Sequence, residues 1–419
     1  MIQKPDYMSF DAAAKRLSLD PHEPSFFHDP YPAYAWLHDE RQTFFWEEFG
    51  FWCLTGFDDV SRLLRDRRFG RENPDGPPSP QAPGSPRGHL RNFDALEEHS
   101  LLEREPPVHT RLRTLVNRAF VSRQVERLRP RLEALSHQLI DGFEGAGAAD
   151  LIAAYATPLP VAIIASMLGI DEAMGPQLLS WSHAMVAMYA YGPAREAQDR
   201  ADLASKEFAG FIRSALELRR GRPGEDLLSL LAAAEADGQK LNEDELVSTA
   251  VLLLNAGHEA TVHQMGNAVK TLLERCANPA ALFTSDDAAA AIVEEALRFD
   301  APLHMFTRFA NQDLEIGAGA AGAVALKRGE KIGLLLGAAN RDPIAFSRPD
   351  QFDPARADQK NVSFGAGIHF CIGAPLARLE LQVSLPILFE RLPELRLDGA
   401  PLYRDSYHFH GLEALSVTF

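Results

Sequence analysis

A single cysteine in a glycine-rich turn offers the clearest chemistry in this sequence. Residues 364–380 read FGAGIHFCIGAPLARLE, so that Cys371 lies among glycines directly before a helical pattern. Backbone N–H groups of such a turn, together with a helix N-terminus, stabilise a thiolate, and Phe364 and Phe370 would shield the sulfur from water. A lone cysteine is most often a buried structural residue, but the spacing F-x-x-G-x-H-x-C-x-G favours a metal ligand.

Small residues and one acid stand in the middle of the longest helical pattern. Residues 256–261 read AGHEAT. Small side chains let a flat cofactor and a diatomic ligand approach the helix backbone, and a local opening of the helical ladder there would make room for water.

Two charged pairs could support such a centre. Glu295 and Arg298, at i and i+3, can pair on one helix face, and His109 and Arg113, at i and i+4, share another face. Taken alone, the first could be an exposed pair worth ~0.5 kcal/mol or less, and the second a solvated basic face.

Together these motifs resemble the cytochrome P450 family in its soluble bacterial form, over roughly Phe26 to the C-terminus. The resemblance implies that Cys371 is the axial thiolate of haem b, which is the iron-ligating arrangement of that family. It also implies that cations and hydrogen-bond donors meet the two propionates. The residues that the resemblance assigns to the haem are His109, Arg113, Ala256, Arg308, Phe364, His369, Cys371 and Gly373.

The distal helix departs from the family pattern at one position. The family has A-G-x-[DE]-T-[TS], in which the acid and the first hydroxyl support proton delivery to oxygen. Glu259 matches the acid, but Ala260 occupies the usual threonine position and Thr261 follows one residue later, about 100° further around the helix. We expect ordered water, Thr261 or a substrate hydroxyl to take over the missing role.

Glu295-Ala296-Leu297-Arg298 resembles the E-x-x-R motif of the family. There the pair is buried and reaches an arginine from a later loop. Arg348, in the sequence FSRPDQFDP, is the expected partner. The implied role is structural support of the haem pocket.

Composition and charge exclude several classes of protein. The chain has 419 residues, 46% of them hydrophobic, and 42 basic against 58 acidic side chains, for a net charge of −16. Such values are typical of globular proteins, and a nucleic-acid binder would show a basic footprint.

Three cysteines cannot form a disulfide framework and fit a reducing compartment. No apolar run reaches the ~18–20 residues of a membrane span, and the first residues lack a secretory signal, so we expect a cytoplasmic protein without a membrane anchor.

Hydrophobic periodicity predicts helices over most of the chain. The longest begins at an Asn242 cap and ends before Pro279. Short strand patterns occur at 306–336 and in the tail, without a βαβ rhythm. The expected fold is mainly α with a minor antiparallel β region, namely the cytochrome P450 fold, as one large domain over residues 1–419 with a long central helix over the haem.

A stretch rich in proline and glycine, within residues 70–105, is expected to be a mobile loop and a candidate substrate lid. The resemblance implies that the substrate pocket is apolar. The residues expected in or near it lie in 90–102, 180–191, 254–260, 303–306 and 407–409, and include Phe93, Met185, Met188, Met305 and Phe409, with His304 as a polar anchor or a satisfied loop histidine.

The sequence contains no nucleotide-binding glycine motif and no cysteine cluster for iron and sulfur. If the chain is a cytochrome P450, as the resemblance implies, its electrons must arrive from separate proteins. The resemblance implies that these are a ferredoxin and an NAD(P)H-dependent ferredoxin reductase, and that O2 and a small organic molecule are the substrates of a monomeric enzyme. Docking is expected near the Cys371 loop and the helix that carries Arg111 and Arg118; these two arginines could equally face solvent.

Three alternatives remain to be weighed. A haem-thiolate binding or sensor protein without turnover would share the Cys371 loop, and Ala260 is compatible with it. A zinc hydrolase is rejected, because H-E-x-x-H needs histidines at i and i+4, whereas His258 is followed by His263 at i+5. A cysteine hydrolase lacks a clear activated base, although His369 could be considered.

Overall fold

The computed structural model describes residues 2–39, 41–76, 87–120, 125–236, 238–317 and 323–419. Helices dominate these ranges, as the periodicity predicts. Shorter 3₁₀ or π turns lie at Gly88–Leu90, Glu144–Ala146, Ile152–Ala156, Glu172–Met174, Ala187–Tyr189, Ala280–Leu282 and Gly367–His369. The α-helices are α1 (Pro24–His28), α2 (Tyr31–His38), α3 (Phe57–Leu63), α4 (Arg91–Glu98), α5 (Val108–Ala119), α6 (Arg129–Asp141), α7 (Pro158–Met167), α8 (Gly175–Val186), α9 (Arg195–Arg220), α10 (Leu227–Ala233), α11 (Glu243–Arg275), α12 (Asp286–Phe299), α13 (Leu336–Ala339) and α14 (Ala374–Arg391).

Short strands form a separate β region. The largest sheet has the order β1-β2-β3-β4-β10-β7-β5, and three small sheets pair β11-β14-β6, β12-β13 and β8-β9. The strands are β1 (Ser9–Asp11), β2 (Arg16–Ser18), β3 (Thr43–Trp46), β4 (Phe51–Leu54), β5 (Phe69–Gly70), β6 (Ala148–Asp150), β7 (Met305–Ala310), β8 (Leu314–Ile316), β9 (Val324–Leu326), β10 (Lys331–Leu335), β11 (Arg396–Leu397), β12 (Leu402–Tyr403), β13 (Leu412–Ala414) and β14 (Ser416–Thr418).

Most strand pairings are antiparallel, as expected, but two are parallel. β2 pairs with β3, and β4 pairs with β10, in parallel register, with Cys53 opposite Gly333 in the second pair. Parallel neighbours need a long crossover connection. Between β4 and β10 this connection contains almost the whole helical region. The sheet thereby ties the N-terminal segment to the strands that follow α12.

The central helix α11 begins with a capping box. The Asn242 side chain accepts from the Glu245 amide at 2.9 Å, and the Glu245 carboxylate accepts from the Asn242 amide at 3.0 Å. The helix then continues without interruption to Arg275, so the local opening expected at residues 256–261 is not observed. Gly257 allows close packing on α7, since a Cβ there would lie 3.2 Å from Ile164.

Among the described residues, apolar side chains form one large core between the helices and two smaller ones beside the main sheet. α11 packs against α7, α9, α12 and α14, so that it runs through the centre of the helical core. Within the described ranges, no helix combines the length and the apolar character that crossing a bilayer would require.

The proline-rich stretch is described only in part. Residues 77–86 of the predicted lid lie outside the described residues. The part of 70–105 that follows is not a loop throughout, because Gly88–Leu90 forms a 3₁₀ turn and Arg91–Glu98 forms α4. Ser248 of α11 anchors this segment by donating to the Leu96 carbonyl at 2.7 Å.

Candidate active site

The loop before α14 positions the Cys371 thiol. The amide of Cys371 donates to the Phe364 carbonyl at 3.0 Å, and Gly367 has a φ of 74° with its Cα against the Leu64 carbonyl, where a Cβ would approach to 2.5 Å. Only glycine fits this left-handed, crowded position. The Arg378 guanidinium, 4.5 Å from the centre of the Phe364 ring, holds that ring beside the loop.

The environment of the Cys371 sulfur has two opposing effects on the pKa of the thiol. Burial raises the pKa of the thiol, whereas the amides of Gly373 and Ala374 and the nearby Arg113 and Arg378 cations lower it. Burial dominates, so the free thiol is protonated, and a metal ion bound to the sulfur would deprotonate it. The amide groups of the turn and the start of α14 are thus already directed at a thiolate.

One cavity joins this loop to the middle of α11. Its walls include Phe364, Cys371 and Gly373 on one side and Ala256, with the other residues of 256–261 except His258, on the opposite side. A flat prosthetic group between Cys371 and α11 would therefore have sulfur below it and small side chains above it. The structure brings these predicted residues to one place.

The predicted cationic residues line one edge of the cavity. Arg113 donates to the Phe370 carbonyl at 2.7 Å, and His369 donates to Glu105 at 2.9 Å. Within the described ranges, neither Arg113 nor Arg308 forms an ion pair with a carboxylate, and the buried Nε2 of His109 has no hydrogen bond. Unpaired buried cations and donors are costly unless an anion meets them.

Burial explains the electrostatics of this edge. It lowers the pKa of the Arg308 guanidinium to about 10, and the neighbouring Arg71 cation lowers it further in the same direction. Burial, followed by repulsion from His369, lowers the pKa of His109 to about 4. These groups are held at a site that favours an incoming negative charge.

The Glu295–Arg298 pair is buried, with each side chain 1% exposed. Arg298 also donates to the carbonyls of Asn340 and Pro349, both at 2.9 Å. The expected third partner was wrong: Arg348 is exposed, and the side chain that contacts Glu295 is Arg356, at 3.4 Å. Arg348 lies in a bend with a φ of 50°, which directs its side chain to Asp353 at the surface.

A short relay of hydrogen bonds connects this pair to the Cys371 loop. Ser363, next to Phe364, donates to the Leu297 carbonyl at 2.7 Å and accepts from Asn340 at 2.8 Å. Asn340 also accepts from the Val362 amide at 2.9 Å. The loop is therefore fixed to the helix that carries the charged pair.

Glu259 of α11 is buried, and four nitrogen atoms lie close to its carboxylate. His263 Nε2 lies 3.2 Å and Arg404 Nη1 3.3 Å from Oε1, while the Nε2 atoms of His183 and His258 each lie 3.5 Å from Oε2. Burial raises the pKa of the carboxyl, but His263 and the other imidazoles outweigh it and lower the pKa to about 2. His263 lies at i+4 from Glu259 on α11, a spacing that the sequence already shows, whereas His183 and Arg404 approach Glu259 only in three dimensions and were missed.

The two residues after Glu259 both border the cavity. Ala260 offers no hydroxyl there, whereas Thr261 faces the buried Glu380. Burial raises the pKa of Glu380 well above its ordinary value, and the contact with Thr261 lowers it. Within the described residues neither Glu380 oxygen has a hydrogen bond of ordinary geometry, so this carboxyl is a neutral group close to Thr261.

The predicted substrate-lining ranges contribute residues to the cavity wall, but several of the individual side chains predicted from these ranges do not. Met185 and Phe409 line it, but Phe93, Met188 and Met305 do not. Phe93 and Met305 are buried in the apolar cores, because these helix and strand faces pack inward. His304 is fully buried, and its Nδ1 lies 2.8 Å from the Tyr34 hydroxyl, whereas its Nε2 has no hydrogen-bond partner within the described residues. It does not line the cavity, so it is not a pocket anchor.

Two charged side chains in the cavity wall were not foreseen. Arg71 pairs with Glu103 beside the cavity, and Glu97 of α4 lines the wall next to it. Burial and the negative charge of Glu103 raise the pKa of Glu97 to about 8. The sequence signal was weak, since Arg71 and Glu97 flank the proline-rich stretch and share no motif.

Comparison with known proteins identifies the family. A family model described as Cytochrome P450 matches residues 289–394. Cytochrome P450 107B1 of Saccharopolyspora erythraea is 37% identical over 371 residues, which cover 87% of this chain and 88% of the relative. 6-Deoxyerythronolide B hydroxylase of the same organism is 37% identical over 375 residues, covering 87% and 89%. A crystal structure of P450BioI in complex with acyl carrier protein ligated to hexadec-9Z-enoic acid has a TM-score of 0.86 at 32% identity, covering 94% of this chain and 100% of that one.

The chain belongs to the cytochrome P450 family. It is an oxidoreductase with haem b as its cofactor and monooxygenase activity that uses O2, an organic substrate and a redox partner. The predicted membership of the cytochrome P450 family and the predicted fold class are thereby confirmed.

The residues around the cavity fit haem b. Within the part of the chain that the structure describes, His109 Nε2 has no hydrogen bond and Arg113 and Arg308 have no carboxylate partner, which suits the two propionates. The exposed Ala256 leaves room against α11. The Cys371 sulfur with its directed amides suits the iron.

Proposed function

We propose that this protein is a haem-thiolate monooxygenase that inserts one oxygen atom from O2 into a small to medium apolar substrate. Its electrons come from a ferredoxin and an NAD(P)H-dependent ferredoxin reductase. The single observation that carries the proposal is the cavity that joins Cys371 to the apolar walls around Met185 and Phe409. Haem with a thiolate ligand supplies O2 activation; the protein supplies the binding, the shielding from water and the protons.

Cys371 is proposed as the iron ligand, with Phe364 and Gly373 shaping its loop. The propionates are proposed to meet His109, Arg113, Arg308 and His369, and Ala256 to face the ring. Support comes from the unpaired state of Arg113 and Arg308 within the described residues and from the bond that fixes His369 to Glu105. Because these groups come from segments between residues 109 and 371, residues 1–419 are proposed to act as one domain.

Proton supply is proposed to involve two buried carboxyls, those of Glu259 on α11 and Glu380 on α14. Glu259 is ionised at rest; it would take up one proton at a time from a protonated imidazole beside it and release that proton toward Thr261, which passes it into the cavity in place of the hydroxyl that Ala260 lacks. The contact between Thr261 and the neutral Glu380 supports this role. Thr261→Val should then divert electrons to peroxide, and Ala260→Thr should reduce peroxide release; equal peroxide release from both variants would contradict the relay.

An apolar substrate is supported by the leucine, isoleucine and phenylalanine side chains of the cavity, and by the fatty-acyl ligand named for P450BioI. Glu97 and Leu101 line the cavity from the described part of residues 70–105. Their position supports a role of this segment as a substrate lid.

The redox partner is proposed to dock on the surface next to Cys371. Ile368 and Phe370 of the loop are 38% and 39% exposed, and the Arg65 backbone packs against Gly367 beside them. Arg111 and Arg118 contribute less than expected, since Arg111 pairs with Glu245 and Arg118 donates to the Glu235 carbonyl. We propose a monomer in the cytoplasm, consistent with three free cysteines.

The test begins with a spectroscopic screen of the holoenzyme. Apolar compounds that displace water from the iron are found by their spin-state shift. The tightest-binding compound is then incubated with ¹⁸O2, NADPH and surrogate ferredoxin and reductase, and the product should gain one ¹⁸O atom.

A sensor or binding protein without turnover is the second candidate, because Ala260 removes the usual hydroxyl. Ligand-induced spin-state shifts without NADPH consumption and without ¹⁸O in any product would favour it and contradict the monooxygenase proposal.

A further inference from the structure

Three ligand-type atoms converge on the side of α11 that faces α8. They are Nε2 of His183, Nε2 of His258 and Oε2 of Glu259, and all three lie within 4.8 Å of one another. Each imidazole nitrogen is 3.5 Å from the carboxylate oxygen. His183 comes from α8 and the other two residues are neighbours on α11, so the cluster exists only in the folded protein.

The state of His258 follows from its other ring nitrogen. Nδ1 lies 2.8 Å from the Leu254 carbonyl, and a carbonyl can only accept, so Nδ1 carries the hydrogen. In the neutral ring Nε2 then presents a lone pair. His258 is completely buried, burial lowers its pKa, and its Nε2 has no hydrogen-bond partner within the described residues.

The lone pair of His258 therefore faces an ionised carboxylate oxygen. Oε1 of Glu259 is held by His263 at 3.2 Å and by Arg404 at 3.3 Å, which leaves Oε2 turned toward His258 and His183. Two acceptors that face each other in a buried place are costly unless a cation lies between them. The arrangement calls for a positive charge at this point.

We propose that His183, His258 and Glu259 bind a zinc ion. Zinc ligands at about 2.0–2.1 Å in tetrahedral geometry lie about 3.4 Å apart, close to the two observed separations of 3.5 Å. Two histidines and one glutamate with a water in the fourth position form a known type of zinc site. His183 is 45% exposed, so the ion and the water can enter from solvent.

The surrounding contacts have the form expected around metal ligands. A ligating histidine usually donates its second nitrogen to a carbonyl, and a ligating carboxylate is itself hydrogen-bonded. His258 makes the first contact with Leu254, and Glu259 makes the second with His263 and Arg404. The site differs from the rejected H-E-x-x-H motif, because its third ligand comes from α8 and His263 only orients the carboxylate.

A bound zinc ion would also coordinate the Glu259 carboxylate, which is proposed above to supply protons. This consequence, unlike zinc binding itself, rests on the proposed function. Zinc would then slow turnover and lower the fraction of electrons that reach product. Zinc binding without any effect on turnover would contradict the proton role of Glu259 and leave the metal site standing.

Calorimetric titration of the holoenzyme with zinc tests the site. We expect one ion per chain, and His183→Ala should weaken binding at least ~10-fold, which is the lower range for loss of an outer-shell contact. His22→Ala is the matched control, because His22 is an exposed histidine that pairs with one carboxylate, Asp405, at 2.8 Å. Equal zinc affinity of the two variants, or no zinc binding at all, would overturn the proposal.

A second measurement guards against misfolding and surface binding. Each variant is accepted only if its reduced CO-bound spectrum matches that of the parent protein. X-ray absorption at the zinc edge of the loaded holoenzyme should show imidazole scattering from two histidines with N and O ligands near 2.0 Å. A shell made of oxygen alone would refute the assignment.

Discussion

The carboxylate of Glu295 accepts two hydrogen bonds from the guanidinium of Arg298, at 2.8 Å and 2.7 Å, one turn along α12. The same carboxylate accepts from the Asp353 amide at 2.8 Å. One buried anion thus holds a buried cation and the start of the loop segment that carries Arg356. The pair therefore connects α12 to the chain segment that leads to the Cys371 loop.

Neutralising this anion should destabilise the protein strongly. Glu295→Gln leaves the Arg298 charge buried without compensation, and such losses cost about 3–5 kcal/mol. The free energy of unfolding in urea measures the effect. Glu217→Gln is the matched control, since Glu217 pairs with Arg220 at the same i, i+3 spacing but on the surface; it should cost less than about 0.5 kcal/mol. Similar losses in both variants would contradict the structural role.

Replacing the proposed iron ligand should abolish the thiolate signature. Cys371→Ser should lose the long-wavelength Soret band of the reduced CO complex, because a hydroxyl does not supply thiolate electron density. Cys276→Ser is the control, since Cys276 is a free, half-buried cysteine that packs against the helical core. If the band survived in the Cys371 variant, the assignment of the ligand would be wrong.

Removing one buried cation should weaken haem retention without harming the protein that lacks haem. Arg308 is buried without a carboxylate partner within the described residues, and burial lowers its pKa to about 10. Hydrogen bonds to charged groups are worth about 1.5–3 kcal/mol, so Arg308→Met should speed haem transfer to an acceptor globin about 10- to 100-fold. The apoprotein should keep its stability or gain some.

The control for this comparison is Arg222→Met, an exposed arginine after α9, which should leave haem transfer unchanged. A large loss of apoprotein stability in the Arg308 variant would indicate a purely structural role for the arginine.

Glu97 should make stability depend on pH. Burial and the charge of Glu103 raise its folded pKa to about 8 from an ordinary value of 4.5. A raised folded pKa contributes stability that is complete below pH 4.5 and is lost as pH rises through 8. Relative to the parent, Glu97→Gln should therefore be more stabilising at pH 8.5 than at pH 5.5 in urea unfolding.

Glu98→Gln removes a carboxylate from the next position of α4 and serves as the reference. A Glu97→Gln effect that is the same at both pH values would show that this carboxyl is not held neutral in the cavity wall.

Local patterns allowed the turn around Cys371, the Glu295–Arg298 pair and the capped start of α11 to be predicted. Each depends on residues that are close in sequence, such as Asn242 and Glu245. Arg348 and Arg356 could not be distinguished in this way, because both follow α12 in the same loop-rich stretch and only tertiary packing decides which one reaches Glu295.

The N-terminal strands were missed for a related reason. β3 and β4 have only four residues each, too few for a periodic pattern to show, and β10, the parallel partner of β4, is 280 residues away. Some predictions of individual pocket residues were wrong because the correct segment was chosen but the side chain points into the core. Phe93 is an example. Side-chain direction relative to a cavity requires the packed structure.

The parallel pairing of β4 with β10 has a consequence for how the protein is made. Leu54 finds its partner Leu334 only after the ribosome has added the residues between them. At about 5–20 residues per second this takes roughly 14–56 seconds. Until β10 has been synthesised, the edge of β4 that pairs with it stays unpaired. An unpaired strand edge can pair with other chains. Nascent N-terminal segments of this protein are therefore expected to depend on chaperones until the C-terminal third emerges.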